Sequence, residues 1–274
     1  MDVRLSTIPP PLSDPAREHA LRTAAPGLGG TTGVIAGYFA LQFVAGMVLA
    51  VVIALSIVMT HTDDGLGEAI ETTLMQSATQ ALAAVVSLCT AAVLVLWLVH
   101  RRWPVLWSMA RPPGFGFTAP RQPWFLLLAL VIGLATPMLG SLLTQWLAGG
   151  QTVSQDIDRL GNHAPMDMRL SLVLVVVCVG PLVEELLFRG LLLSAMLKHW
   201  NTTVAVAASS LVFALVHLPG LQYQWFAVPN LLLLAVLLAA LRLRSGSIWP
   251  GVVAHASNNL VAVATWFVAI KPMG

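Results

Sequence analysis

Charge is what this chain has least of. Only 9% of its 274 residues are Asp, Glu, Lys or Arg, while 57% are hydrophobic. Water-facing domains carry charge at about a quarter of their positions, so a soluble fold is excluded. Cysteine is scarce as well. Cys89 and Cys178 both lie inside apolar runs, which argues against a disulfide framework or a zinc knuckle. The formal net charge is only +2, too small for the basic footprint of a nucleic-acid binder. There is no H-E-x-x-H motif, and nothing at the N-terminus resembles a cleaved signal peptide. The apolar run after residue 30 is too long for a signal core. Residues 1–30, with Pro9, Pro10, Pro11, Pro15 and Pro26, are expected to form a flexible cytoplasmic tail.

What is present is apolar length. A bilayer core needs about 20 consecutive apolar residues per helical crossing. Windows of that kind fall near 32–59, 76–99, 124–148, 169–197, 203–218, 225–241 and 248–270. The expected fold is all-α, a polytopic transmembrane bundle of about seven helices. Gly180-Pro181 interrupts the fourth window. Proline removes a helix hydrogen bond and crowds the preceding turn, so a kink or restart is expected there. Trp97, Trp124, Trp146, Trp200, Trp225, Trp249 and Trp266 lie near window ends, as an interfacial aromatic belt would place them.

Loop charge orients the chain. Arg4, Arg17, Arg22, Arg101, Arg102, Arg111, Arg121, Lys198, Arg242 and Arg244 fall on one side. The other side holds Asp63, Asp64, Glu68, Glu71, Asp156, Asp158 and Asp167, with Arg159, Arg169 and Lys271. The positive-inside rule then makes the N-terminus cytoplasmic and, after seven crossings of the cell membrane, the C-terminus external. Gly33 and Gly37 form a small-xxx-small pair suited to close packing within the bundle or to a homodimer.

A few side chains break the apolar pattern: Glu184, Glu185 and Arg189 in GPLVEELLFRG, His217 in FALVHLPG, and His255 with Asn259 in GVVAHASNNL. A charge at mid-membrane costs roughly 2.5–3.5 kcal/mol on the insertion scale, and such groups face the bundle interior and mark function. All lie in the C-terminal half. At about 100° per residue, Glu185 and Arg189 share a face while Glu184 points elsewhere. The first pair suits a structural ion pair or a substrate contact; Glu184, with no local partner, suits a general base. A helix restarting at Pro181 would put both carboxylates near its positive end. Phe213 shares a face with His217 and reads as packing beside it. Asn258 is near enough to compete with Asn259 beside His255. Counting 1.5 Å per residue from the window starts leaves Glu184 and His217 about 10 Å apart in depth unless a helix is tilted or displaced.

In this order, E-E-x-x-x-R, F-x-x-x-H and H-x-x-x-N resemble the CPBP family of intramembrane proteases, which includes CAAX prenyl endopeptidases and the bacterial Abi proteins. The resemblance covers roughly residues 123–265, including the lead-in LRLRSGSIWPGVVAH. It divides the chain into the tail, N-terminal transmembrane helices at 31–122 and a protease domain at 123–270. It implies that Glu184 activates a water, that His217 holds or polarises it, and that His255 and Asn259 stabilise the oxyanion. Glu185, Arg189 and Phe213 would shape the site. The implied substrate is a membrane-associated protein or peptide within the lipid bilayer. No cofactor is implied; in the lesser alternative, zinc would be held by Glu184, His217 and His255. Two other readings compete, a proton-coupled transporter and a non-catalytic immunity or scaffolding factor. Against the transporter, no inverted repeat of the motif segment is visible.

Overall fold

In the computed structural model, residues 25–60, 65–151 and 156–268 are described. Most of the N-terminal tail, Asp63, Asp64 and Lys271 lie outside them. Nine helices follow one another, and there is no strand among the described residues: α1 (Leu28–Thr60), α2 (Leu66–Met75), α3 (Ser77–Arg102), α4 (Trp124–Ala148), α5 (Asp156–His163), α6 (Met166–Met196), α7 (Thr202–Val216), α8 (Val228–Ser245) and α9 (Trp249–Val268). Six segments are long and apolar enough to cross a membrane: α1, α3, α4, α6, α8 with its preceding turn, and α9. The fifth expected crossing is α7, only 15 residues long. At 1.5 Å per residue it spans about 22 Å, short of a bilayer core of about 30 Å. The architecture agrees with a multi-pass bundle of about seven membrane helices.

The outer faces suit lipid. On α1, Phe43, Val44, Val48, Val52, Leu55 and Met59 are all exposed, and the bilayer is the medium in which such a helix loses nothing by it. Inside, small residues let backbones approach. The buried face of α4 carries Ala129, Gly133, Thr136, Gly140, Thr144 and Ala148, the small-residue stripe that replaces the hydrophobic effect as the basis of packing in lipid. A Cβ on Gly133 would lie 2.3 Å from the Ala254 carbonyl oxygen of α9. Gly33 and Gly37 are different: a Cβ on either meets nothing within 4 Å. The expected close packing of that pair within the bundle is not found.

Several polar groups read as interfacial are internal braces. Arg242 is fully buried, donating from Nη1 to the Ala110 carbonyl at 2.7 Å and from Nη2 to the Gly114 carbonyl at 2.6 Å. It fastens the α3–α4 loop to the end of α8. Trp266, expected in the aromatic belt, is 1% exposed and donates from Nε1 to Asp158 Oδ1 at 3.2 Å. Arg169 donates to the carbonyls of Ala164, Trp266 and Asn162 at 2.8, 2.7 and 2.9 Å. These bonds pin α5 across the end of α9. The other belt residues, Trp97, Trp124, Trp146, Trp200, Trp225 and Trp249, are exposed as an interfacial ring requires.

Because the atom facing Gly133 is backbone, it cannot swing aside. Gly133→Ala is expected to push α4 off α9 and cost about 1–3 kcal/mol. Thermal unfolding in detergent checks this, and an unchanged midpoint would show that the crossing is looser than described.

Candidate active site

The site begins with an irregularity in α6. Residues Met166–Leu174 are α-helical, Val175–Val179 form a π turn, Gly180–Glu185 return to α, Leu186–Leu192 form a second π turn, and Leu193–Met196 close the helix. The backbone stays in the right-handed helical region at Val179 (φ −71°, ψ −49°) and Gly180 (φ −55°, ψ −59°). The expected restart at Pro181 is therefore absent. The wider π turn makes room for the ring where a regular turn would clash. Glu184 and Glu185 sit within a continuous helix, and the positive-end argument does not hold for Pro181. The helix terminus beside Glu185 is instead that of α9: a Cβ on Gly251 would lie 2.5 Å from Glu185 Oε2.

Three side chains from three helices meet at one atom. Glu184 Oε2 lies 3.5 Å from His217 Nε2 and 3.8 Å from His255 Nε2. The 10 Å depth gap left by the count is absent, since the side chains meet. His217 follows the last residue of α7, and its Nδ1 is 2.7 Å from the Phe213 carbonyl. A carbonyl only accepts, so Nδ1 donates and a neutral His217 presents a lone pair at Nε2. Glu184 Oε2 is buried without a hydrogen-bond partner. The Glu184 and His217 side chains are 19% and 31% exposed, whereas His255 is 5% exposed. The cluster opens on the His217 side.

Behind it lies a buried brace. Arg189 Nη1 donates to Glu185 Oε1 at 2.8 Å, and Nη2 donates to the Ala235 carbonyl of α8 at 3.2 Å. Glu185 and Arg189 are 0% and 2% exposed. Of the two readings open to this pair, the structure has the ion pair. Glu185 Oε1 also lies 3.4 Å from His255 Nδ1, so the two adjacent glutamates flank opposite nitrogens of one ring. Phe213 is wedged between them, with Arg189 4.3 Å from its ring centroid and the His217 and His255 rings at 4.6 and 5.7 Å. It packs, as its spacing suggested, and also supplies a cation–π face.

Asn259 has a partner that sequence reasoning missed. Its Nδ2 donates to the Val176 carbonyl at 2.9 Å, and its Oδ1 accepts from Asn258 Nδ2 at 3.3 Å. In the π pattern each N–H bonds the carbonyl five residues back, as Gly180 does to Val175. Val176 would take its bond from residue 181, which is proline and has no N–H. Asn259 thus supplies the donor that Pro181 lacks, leaving one amide hydrogen free. The missing signal was a pairing between a proline on one helix and an amide on another.

Tyr38 was also missed. It is buried in the core cluster with Val183, Leu187 and Phe188, its hydroxyl has no partner, and the Glu184 charge acts on it. No motif letter pointed to α1. Glu184, His217 and His255 bring two imidazole nitrogens within 3.5 to 3.8 Å of one carboxylate oxygen.

A helical membrane bundle that gathers a carboxylate and two imidazoles at one partly open point has the makings of an intramembrane hydrolase. Residues 167–261 match the family model described as Rce1-like, type II CAAX prenyl endopeptidase Rce1-like. That stretch carries all three motifs, agrees with the CPBP and CAAX protease resemblance, and supports intramembrane protease activity as the general class. No curated protein and no solved structure matches the chain.

The Pro181–Asn259 pairing predicts a thermodynamic coupling. Asn259→Ala should orphan the Val176 carbonyl and cost about 1–3 kcal/mol. In a Pro181→Ala background, where a backbone N–H is restored, the same change should cost less. A double-mutant cycle on unfolding midpoints measures this; strict additivity would dissolve the pairing.

Proposed function

We propose that this protein is an intramembrane endopeptidase that hydrolyses peptide bonds of membrane-associated proteins or peptides with a water activated by Glu184. The observation that carries the reading is the buried Glu184 Oε2 set 3.5 Å from His217 Nε2, a ring nitrogen that carries a lone pair in the neutral imidazole. With His217 neutral, the two acceptors have no hydrogen between them. A water molecule supplies both, donating one hydrogen to the carboxylate and the other to Nε2, with its oxygen aimed at the scissile carbonyl. As it attacks, Glu184 takes the proton and later passes it to the leaving amine. His255 and the spare amide hydrogen of Asn259 are assigned to the developing oxyanion, where donors are worth most because little water competes. Glu185, Arg189 and Phe213 hold these groups in register.

In this reading residues 123–270 form the protease domain and 31–122 add supporting helices. The N-terminus faces the cytoplasm across the cell membrane, following the loop charges. The reaction uses no metal, as the family resemblance implies.

Glu184→Gln keeps size and polarity but loses the base. It is expected to lower cleavage of membrane-peptide substrates by at least about 10²-fold, the lower range for a positioned base, at equal membrane abundance. Wild-type turnover in this variant would remove Glu184 as the base and favour a non-catalytic partner. Activity is further expected to persist after chelation; loss on chelation with recovery on adding zinc would assign Glu184, His217 and His255 to an ion.

A further inference from the structure

His217 does more than face Glu184. Its exposed side forms part of the wall of a cavity of about 340 Å³, lined by Asp156, Ile157, Leu160, Gly220, Leu221 and Leu231. The volume is at the low end of the roughly 300–1,000 Å³ found for ligand pockets, room for one or two large side chains rather than a whole ligand. The walls come from three parts of the fold: α5, the turn after α7, and α8. Asp156, Ile157 and Leu160 precede the matched stretch 167–261, so that match does not extend to this half of the cavity.

The cavity is built, not incidental. Its α5 wall is held by the Asp158–Trp266 bond, by the Arg169 bonds to Asn162 and Ala164, and by Gly161, where a Cβ would lie 2.3 Å from the Trp266 ring. Its rim is closed by Gln222 Nε2 donating to Asp156 Oδ1 at 3.2 Å. Gln222 and Tyr223 hold φ of 51° and 59°, a left-handed conformation that costs non-glycine residues of order 1–3 kcal/mol and persists only where surroundings impose it. Asp156 is the one charged lining residue, and no lysine or arginine lines the space. A substrate carboxylate would face the Asp156 charge with His217, already beside Glu184, as its one imidazole neighbour, whereas an uncharged apolar group would pack against Ile157, Leu160, Leu221 and Leu231.

We propose that this cavity is a specificity subsite that takes a large apolar side chain of the substrate peptide, flanking the scissile bond. The proposal rests on the peptidase reading, because occupancy beside His217 matters only if a peptide bond is presented to the Glu184 water. The occupant packs against Ile157, Leu160, Leu221 and Leu231, and its backbone runs past the His217 ring. Substrate choice is then set largely by α5 and α8 rather than by the motif residues.

The test uses the full chain in lipid nanodiscs with internally quenched peptides that differ at one flanking position (Ala, Leu or Phe). The wild type should prefer Leu or Phe over Ala by about 10-fold or more in kcat/KM, the scale of apolar pocket discrimination. Leu231→Trp, which fills the space, should erase that preference, and Leu160→Ala should enlarge it toward Phe. In parallel, a photoreactive phenylalanine at the varied position is cross-linked to Glu184→Gln and mapped by mass spectrometry, with attachment expected at Ile157, Leu160 or Leu231. Cleavage with unchanged ratios in both variants and cross-links elsewhere overturns the subsite while hydrolysis stands. Cross-links in the cavity without wild-type cleavage uphold the subsite and overturn hydrolysis. Neither cleavage nor cavity cross-links overturns both.

Discussion

Everything in the C-terminal half answers to one constraint: ionic groups inside a bundle that lipid surrounds must be paired with one another or with freed backbone atoms. Glu185 and Arg189 meet it with a 2.8 Å bond, an α8 carbonyl and the face of Phe213. Glu184 meets it incompletely. Its Oε2 has two imidazole nitrogens at 3.5 and 3.8 Å, looser contacts than the one Glu185 makes with Arg189. The Glu185–Arg189 pair forms a floor, and the Glu184 carboxylate above it keeps bonding capacity on the side that opens at His217. Strain and unmet hydrogen bonds are commonly concentrated where chemistry is done.

The same constraint explains the backbone. A proline deep inside an all-α segment would cost about 3 kcal/mol or more, yet α6 carries Pro181 beside the glutamates. The π turn accommodates the ring, and Asn259 covers the carbonyl left over. α6 and α9 are thereby tied at the level of the site, and α7 is positioned against both through Phe213. Rigid placement of the first contacting groups by a supporting shell is what catalytic geometry requires.

Much of this was legible in the sequence, and for identifiable reasons. Glu184, His217 and His255 stand out because ionisable groups are rare in apolar runs, and i, i+4 spacing paired Glu185 with Arg189. The helix count followed from run length. What did not follow depends on distant contacts. Arg242 and Trp266 sit at window ends, where composition says interface, but the buried carbonyls of Ala110 and Gly114 and the Asp158 carboxylate claim them. The short α5 is too polar and brief to signal its place as a cavity wall. Tyr38 lies in a run with no charged residue or motif letter, so only packing reveals that it sits near Glu184. The depth count failed because run lengths alone do not say at what level one helix begins relative to another.

The large core cluster joins Tyr38 on α1 and Ala91, Ala92, Val95 and Val99 on α3 to Val183, Leu186, Leu187 and Phe188 on α6. The motif-bearing stretch is therefore not a portable cassette. Cut away from the first two long helices, it would present leucines and a phenylalanine adjoining its own glutamates to whatever lies outside. The N-terminal third is thus a steric mould whose shape, cast against α6, holds the glutamates' own helix in place.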